Sequence, residues 1–160
     1  MHGNLLLRRT DELLSGNMEN IRVLIVDDES PMRAFIKASI KSSFPGQAGI
    51  KVELDEAGSV DAAMAKLSVK PYDVVLCDWN LPGAKGTELL AWIKEEDKQK
   101  DTLFLMLTAH NEESVLAEAM DMGVNDFITK PIAADFLSKR LMAAFNNILT
   151  IRRSKSHDIT

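Results

Sequence analysis

The sequence predicts an α/β domain built on a doubly wound parallel sheet, with helices on both faces. Five short apolar runs alternate along the chain with segments whose apolar residues recur at helical spacing. The loops between these segments are short, as in consecutive strand–helix units joined by right-handed crossovers. Polar residues follow the apolar runs, and a parallel sheet binds its ligand outside the carboxyl ends of its strands. The same pattern therefore predicts both the fold class and the place of a site.

The predicted strands are apolar runs bounded by polar or turn-forming residues. The first run is continuous apart from Arg22, as expected for a strand that is covered on both faces. The second run alternates apolar and polar residues, which predicts an edge strand with one wetter face. The five predicted strands are residues 21–26, 50–57, 73–77, 103–107 and 126–129.

The predicted helices are recognised by their apolar stripes and by the residues at their ends. Ser30 and Pro31 suit the N-cap and the first position of the first helix, which is expected to end before Pro45. Pro71 ends the second helix, and Gly123 closes the fourth. The helices after the second to fifth strands are predicted to begin near residues 60, 87, 112 and 131, and the last to run to residue 151.

Two strand orders are compatible with these five strand–helix units. The first strand lacks the Gly-x-Gly-x-x-Gly turn of dinucleotide-binding domains, and the chain is short, so the flavodoxin-like order 2-1-3-4-5 is preferred to a Rossmann order. In that order the first and third strands flank the switch point of the sheet. The polar residues after these two strands are therefore expected to share one crevice.

Length and composition indicate a single domain with short extensions. The 160 residues divide into an N-terminal extension at 1–20, the domain at 21–147, and a helix end with a basic tail at 148–160. Residues 5–14 of the extension are compatible with a short amphipathic helix or with a frayed tail.

Charge, cysteine content and hydropathy argue against several functional classes. The net charge of −5 disfavours direct binding of nucleic acid, which needs a basic surface. The single cysteine, Cys77, lies in an apolar run, is expected to be buried, and allows no intrachain disulfide. No apolar run reaches the roughly 20 residues that span a membrane. We therefore expect a cytoplasmic protein without membrane insertion.

Three carboxylates are expected in the crevice between the first and third strands. Asp27 and Asp28 follow the first strand, and Asp78 follows the third. Two carboxylates about 4 Å apart repel by about 4 kcal/mol at an effective dielectric constant of about 20, and a divalent cation relieves this repulsion. Because the set contains no His or Cys, it favours a hard ion, and few carboxylates with open positions suit Mg²⁺.

A nucleophile and two further polar groups accompany the predicted metal site. The Asp78 carboxylate is able to attack phosphorus and hold it as an acyl phosphate. Lys130, after the fifth strand, would neutralise the phosphoryl oxygens together with Mg²⁺, and the Thr108 hydroxyl, after the fourth, would donate to them. The pattern therefore predicts chemistry on a phosphoryl group.

Four segments give the chain a resemblance to a known family. LIVDDES, DVVLCDWNLPG, LMLTAH and DFITKP occur in this order, and over roughly residues 20–147 the chain resembles a bacterial two-component response-regulator receiver domain. The Asp-Trp-Asn sequence is also similar to that of chemotaxis-type single-domain receivers. The resemblance implies a phosphoprotein that receives its phosphoryl group from a sensor histidine kinase or a histidine phosphotransfer protein.

The resemblance also implies roles for the acidic residues and the lysine. It makes Asp78 the phosphoacceptor and Lys130 the residue that pairs with the phosphoryl group. It implies that Asp27, Asp28 and Asp78 hold Mg²⁺, with the backbone carbonyl of Asn80 as a further ligand.

Further roles concern switching and dephosphorylation. The resemblance implies that Thr108 is the switch hydroxyl and that Phe127 is the aromatic residue that turns inward when Thr108 is drawn to the phosphoryl group. It implies a cis peptide bond before Pro131. It also implies that Asn80 and His110 flank the path of attacking water and tune dephosphorylation, although a solvated loop histidine is an equally good interpretation of His110.

If residue 160 is the natural end of the protein, output is expected through binding, because only a short basic tail follows the last predicted helix; the tail is equally compatible with the start of a linker in a longer protein. The resemblance implies that phosphorylation shifts a two-state equilibrium and reshapes the face formed by the fourth helix, the fifth strand and the last helix. That face would contact a downstream protein or form a homodimer. The second half of the apolar stripe on the last helix is a candidate partner or dimer seam. The stripe consists of Leu137, Leu141, Ala144 and Ile148.

Two other functions are kept as alternatives. A haloacid-dehalogenase-like phosphatase also uses a strand-end Asp nucleophile with Mg²⁺, but it needs a second Asp where this chain has Asn80, and an amide cannot shuttle a proton. A pseudo-receiver would act as an unphosphorylated docking scaffold, and the complete acidic set argues against it. The preferred interpretation is a signalling receiver and not an enzyme, which promotes only its own phosphorylation and autodephosphorylation.

Overall fold

The computed structural model describes residues 18–46, 49–83, 85–109 and 112–158. For residues 157 and 158 it describes the backbone only. Residues 1–17, most of the predicted N-terminal extension, lie outside the described residues, as does His110. The division into an extension, a domain and a tail therefore stays a prediction.

A five-stranded parallel sheet organises the described residues, and its order is β2-β1-β3-β4-β5. This confirms the predicted fold class and strand order. The edge position of the alternating strand β2 is confirmed as well. The strands are β1 Glu19–Val26, β2 Ile50–Ala57, β3 Val74–Asp78, β4 Leu103–Thr108 and β5 Asp126–Thr129.

Five α-helices connect or follow these strands in the part of the chain that the structure describes. They are α1 Ser30–Ser43, α2 Val60–Val69, α3 Gly86–Glu95, α4 Glu113–Asp121 and α5 Ala134–Asp158. A short 3-10 helix, Asp97–Gln99, follows α3. Gly123 takes a positive φ of 102° directly after the end of α4, which confirms its role as the closing glycine.

The predicted N-cap of α1 is wrong by one residue. Glu29 is the N-cap, with extended backbone and no side-chain cap hydrogen bond, while Ser30 is already helical. The physical reason is the backbone hydrogen bond from Arg33 N–H to the Glu29 carbonyl, 3.2 Å long, which begins the helix one residue earlier. Pro31 remains in the first turn, where its missing N–H costs nothing.

The two faces of the sheet are covered by different helices, because successive side chains of a strand point to opposite sides. Leu24 and Val26 of β1 pack with buried residues of α2, α3 and α4. Val23 and Ile25 pack with buried residues of α1 and α5. Cys77 is fully buried in the first cluster, as predicted, and burial raises the pKa of its thiol.

Helix α5 uses its whole apolar stripe inside the domain. Ala144 and Ile148 are only 7% and 4% exposed, and both belong to the core between α1, α5 and the sheet. The prediction that this second half of the stripe forms a partner or dimer seam is therefore wrong, since the side chains are already buried in their own chain. The helix also continues to Asp158, beyond its predicted end. None of the helices within the described residues is long and apolar enough to cross a membrane.

The far end of α5 is tied to the amino-terminal edge of the sheet by Arg152. Its Nη1 donates to Glu19 Oε2 at 2.8 Å, and its Nη2 donates to the Asn20 carbonyl at 2.9 Å and to Asp73 Oδ1 at 3.1 Å. The other oxygen of Asp73 accepts the backbone N–H of Arg22 at 2.9 Å. These bonds join the last turns of α5 to the sheet, at the edge opposite the strand ends that carry the predicted site.

Arg152→Ala is expected to lower the free energy of unfolding by about 1 kcal/mol, because charge-assisted hydrogen bonds to partly exposed acceptors are lost. Urea denaturation measures the change. Arg153→Ala, at the exposed neighbouring position, is the control and is expected to change stability by no more than about 0.5 kcal/mol. Equal losses in the two variants would contradict the tie between α5 and the sheet.

Candidate functional site

The register of the sheet brings the predicted site residues to one edge. Val26 at the end of β1 pairs with Cys77, and Thr108 at the end of β4 pairs with Thr129. Asp27 and Asp28 therefore leave β1 beside Asp78, the last residue of β3. The strand ends were predicted to meet, and the distances between side chains confirm that they do.

Three carboxylates form an acidic cluster at this edge. Asp27, Asp28 and Asp78 each offer an oxygen, and these oxygens all lie within 4.8 Å of one another. Asp27 is fully buried, Asp78 is 9% exposed and Asp28 is exposed. The cluster thus opens from the protein interior to solvent, and its hard oxygen donors fit Mg²⁺, which keeps open positions for water and phosphoryl oxygens.

Lys130 bridges two of the three carboxylates. Its ammonium Nζ lies 3.1 Å from Asp27 Oδ2 and 3.2 Å from Asp78 Oδ2. Burial by itself would lower the pKa of the ammonium, but the hydrogen bond to Asp27 and the charges of Asp78 and Asp27 outweigh it and raise the pKa of Lys130. The side chain is therefore a fixed positive charge at the cluster.

Backbone groups hold the two buried carboxylates in place. Asp27 Oδ1 accepts the N–H of Glu29 at 2.9 Å, and the Asp27 N–H donates to the Ala57 carbonyl at 3.1 Å. Asp78 Oδ1 accepts the N–H of Asn80 at 3.2 Å. Each carboxylate thus has one oxygen on the backbone and the other on Lys130, so their orientation is set before any ligand arrives.

Burial dominates the electrostatics of Asp78. It raises the pKa of the carboxyl above its ordinary value, and the charge of Asp27 acts in the same direction. The charge of Lys130 and the hydrogen bond from Asn80 lower the pKa but do not compensate. The ionised carboxylate is therefore less well solvated than in water, and a bound cation would relieve this.

Backbone hydrogen bonds tie the loop after β3 to the end of the sheet that carries the acidic cluster. The Trp79 N–H donates to the Leu107 carbonyl at 2.9 Å, and the Gly86 N–H donates to the Trp79 carbonyl at 3.1 Å. A Cβ at Gly86 would lie only 3.0 Å from the carbonyl oxygen of Asp78. A glycine at the first position of α3 thus lets this helix begin against the end of β3, a requirement that the sequence analysis missed by starting the helix one residue later.

Thr108 and Lys130 are coupled through the backbone. The Lys130 N–H donates to the Thr108 carbonyl at 2.8 Å, and Thr108 is 1% exposed. The peptide bond between Lys130 and Pro131 is cis, as predicted. The hydroxyl-bearing residue and the ammonium-bearing residue therefore stand side by side at the ends of β4 and β5.

The remaining predicted residues differ in their surroundings. Phe127 is half-buried against the core on the α2–α3–α4 side of the sheet, and Asn80, in the loop after β3, is exposed. His110 lies outside the described residues, so its role stays a prediction. Arg33, whose Nη1 donates to the Asp27 carbonyl, was missed because it carries no motif of its own.

Comparison with known proteins gives one consistent result. The sequence profile of the response regulator receiver domain family matches residues 23–142. The chemotaxis protein CheY-3 of Vibrio cholerae is 33% identical over 130 residues, which cover 81% of this chain and 95% of that protein.

A second relative and a solved structure agree with this match. The phosphate regulon transcriptional regulatory protein PhoB of Pseudomonas aeruginosa is 36% identical over 121 residues, which cover 76% of this chain and only 50% of that protein. This chain thus spans half the length of that relative. The solved structure of the chemotaxis response regulator CheY4 of Vibrio cholerae has a TM-score of 0.68 at 27% identity, covering 79% of this chain and 99% of that one.

The raised pKa of Asp78 predicts an unusual effect of Asp78→Asn. A carboxyl whose pKa is raised by folding stabilises the fold while protonated, below its ordinary value of 3.8, and loses that contribution as the pH rises through the folded-state pKa. Without metal, we expect Asp78→Asn to be more stable than the wild type at neutral pH, with the difference vanishing in acid. Mg²⁺ should reduce or reverse the difference, because the variant lacks one of the three carboxylates that could bind it.

Urea denaturation in EDTA and in Mg²⁺, across pH, measures these differences. Asp61→Asn, an exposed acidic residue in the first turn of α2, is the control and should show no such gain at neutral pH. A wild type that is more stable than Asp78→Asn in EDTA at neutral pH would show that burial does not destabilise the ionised carboxylate.

Proposed function

Because this chain belongs to the response regulator receiver domain family, we propose that it accepts a phosphoryl group on Asp78 from a sensor histidine kinase or a histidine phosphotransfer protein. The reaction depends on Mg²⁺ held by Asp27, Asp28 and Asp78, with the Asn80 carbonyl as a further ligand. The observation that carries the proposal is the cluster of three carboxylates, each with an oxygen within 4.8 Å of the others, in which Lys130 bridges the carboxylates of Asp27 and Asp78.

The transfer needs a nucleophile and charge neutralisation, and this chain supplies both. A carboxylate oxygen of Asp78 bonds to phosphorus while the bond from phosphorus to the donor's histidine nitrogen breaks, and the electron pair leaves with the imidazole, which takes up a proton. Lys130 stabilises the charge on the phosphoryl oxygens, and Thr108 donates its hydroxyl to one of them. Mg²⁺, when bound, adds positive charge to the same oxygens.

The proposed output is a change in binding at the face formed by α4, β5 and α5, where Thr108 and Phe127 act as the switch residues. Helix α4 buries only Ala119, so it is weakly held against the domain. On the neighbouring elements, Arg140 of α5 pairs with Asp126 at 3.4 Å and lies over the Phe136 ring at 4.8 Å. This mixed face suits a downstream protein or a second copy of the chain.

The proposal describes a signalling module and not an enzyme acting on other molecules. Its chemistry is limited to its own phosphorylation and autodephosphorylation, with Asn80 and His110 tuning the latter. The phosphatase alternative still lacks an acid–base residue at Asn80, and the scaffold alternative leaves the acidic cluster unexplained. A cytoplasmic location and no direct contact with nucleic acid or membrane complete the proposal.

Phosphorylation of Asp78 is tested with acetyl phosphate, and binding of a phosphoryl mimic with beryllofluoride, both in the presence of Mg²⁺. We expect stoichiometric phosphorylation and saturable beryllofluoride binding in the wild type and in the Asp61→Asn control, and neither in Asp78→Ala, because the nucleophile is then absent. Intact-mass spectrometry and Phos-tag electrophoresis measure phosphorylation, and tryptophan fluorescence measures beryllofluoride binding. Turnover of phosphate esters would instead indicate the phosphatase, and no response to either reagent would indicate the scaffold.

His110→Ala is expected to change the lifetime of phosphorylated Asp78, because an imidazole beside the path of attacking water orients or obstructs it and titrates near neutral pH. The decay of the phosphorylated protein is followed between about pH 6 and 8, the range in which histidine changes charge. A lifetime that is the same in the variant and the wild type over this range would make His110 a solvated loop residue.

A further inference from the structure

We propose that Arg33 is a positioning residue for the magnesium site, acting through the backbone carbonyl of Asp27. The Arg33 side chain would hold the peptide unit that joins Asp27 to Asp28, so that the Asp28 carboxylate stays turned toward Asp78. The proposal rests on the proposed function, since it concerns the metal that this function requires, and it adds a residue that lies outside the acidic cluster itself.

The guanidinium of Arg33 makes two directed contacts. Its Nη1 donates to the carbonyl oxygen of Asp27, and its Nε donates to Glu56 Oε1 at 2.9 Å. The second oxygen of Glu56 pairs with Lys37. The Arg33 side chain is only 16% exposed. Its planar guanidinium is therefore largely buried and is held by an acceptor on each side.

Asp28 is the member of the cluster that needs this support. Asp27 and Asp78 each have a backbone N–H on one carboxylate oxygen and Lys130 on the other. Asp28 is exposed, and within the described part of the chain its carboxylate has no hydrogen bond or ion pair. The backbone therefore sets where the Asp28 side chain starts and which rotamers reach Asp78, and the bond from Arg33 holds that backbone at the preceding carbonyl.

Two other roles for Arg33 predict different effects on Mg²⁺. A purely structural link between α1 and β2 would change the free energy of unfolding but leave the Mg²⁺ affinity unchanged. A simple charge effect would make Mg²⁺ bind more tightly when Arg33 is removed, because a nearby positive charge repels the cation. Positioning predicts the opposite, a weaker affinity, so the sign of the change separates the three roles.

The chain offers a matched control for this ion pair. Arg22 on β1 pairs with Glu53 on β2 through its Nε at 3.2 Å, just as Arg33 pairs with Glu56. Arg22 lies near the amino-terminal end of β1, away from the acidic cluster. Removing it takes away the same charge and a similar ion pair without touching the Asp27 carbonyl.

The test is the Mg²⁺ dissociation constant, measured by calorimetry and by tryptophan fluorescence, to which Trp79, next to Asp78, and Trp92 both contribute. We expect Arg33→Ala to weaken Mg²⁺ binding about tenfold, the lower end of the range for residues that orient metal ligands.

Arg33→Lys should restore little of the Mg²⁺ affinity, because one ammonium cannot replace a planar guanidinium that donates to both Glu56 and the Asp27 carbonyl. Arg22→Ala should bind Mg²⁺ as the wild type does.

Glu56→Gln serves as a milder variant that keeps the side-chain size, and it should weaken Mg²⁺ binding in the same direction. Urea denaturation in EDTA shows whether each variant is folded. An unchanged or tighter Mg²⁺ affinity in folded Arg33→Ala and Glu56→Gln would overturn the positioning role while leaving the proposed function intact. If the wild type itself shows no saturable Mg²⁺ binding, the proposed function and this inference both fail.

Discussion

Burial of neighbouring acidic side chains at the carboxyl end of the sheet, together with their mutual repulsion, is the constraint on which the site depends. Asp27 is fully buried and Asp78 is 9% exposed. Each has a carboxylate oxygen within 4.8 Å of an oxygen of Asp28. Lys130 offsets part of this negative charge by pairing with two of the three groups. Because burial still raises the pKa of Asp78, the pairing is incomplete, and the protein retains an electrostatic preference for a cation at this edge.

Hydrogen bonds from nearby backbone N–H groups hold two of the carboxylates in place despite this repulsion. The N–H groups of Glu29 and Asn80 each bind a carboxylate oxygen, and Gly86 allows α3 to begin against the end of β3. These contacts are local in sequence, while the bridge from Lys130 to Asp27 joins residues 103 positions apart. The site is therefore a product of the parallel topology, which alone brings the last strand's lysine beside the first strand's acid.

Much of this arrangement was accessible from the sequence, because periodicity predicts the strands and their ends, while the short chain and the absent Gly-x-Gly-x-x-Gly turn favour the observed strand order. Asp78, Thr108 and Lys130 each follow an apolar run, and that position predicts their meeting. Arg33 was not accessible, because its contact is with a backbone carbonyl and leaves no residue pattern. The end of α5 was missed for a related reason, since the residues after Ile148 are largely polar and Arg152 holds them through distant partners.

Lys130 links the acidic cluster to the α4–β5–α5 face that is proposed for binding, because its ammonium contacts the cluster and its backbone directly follows the end of β5. Its N–H donates to the Thr108 carbonyl at 2.8 Å, while its ammonium bridges Asp27 and Asp78. A phosphoryl group on Asp78 would bring oxygens that compete with Asp27 for that ammonium, and a shift of Lys130 reaches β4 through the backbone bond. Phe127, earlier on β5, is half-buried on the side of the sheet that α4 covers. Since α4 fully buries a single residue, fewer than any other described α-helix, and packs a second only partly against the core, we expect it to be the helix that is displaced most readily if β4 and β5 adjust.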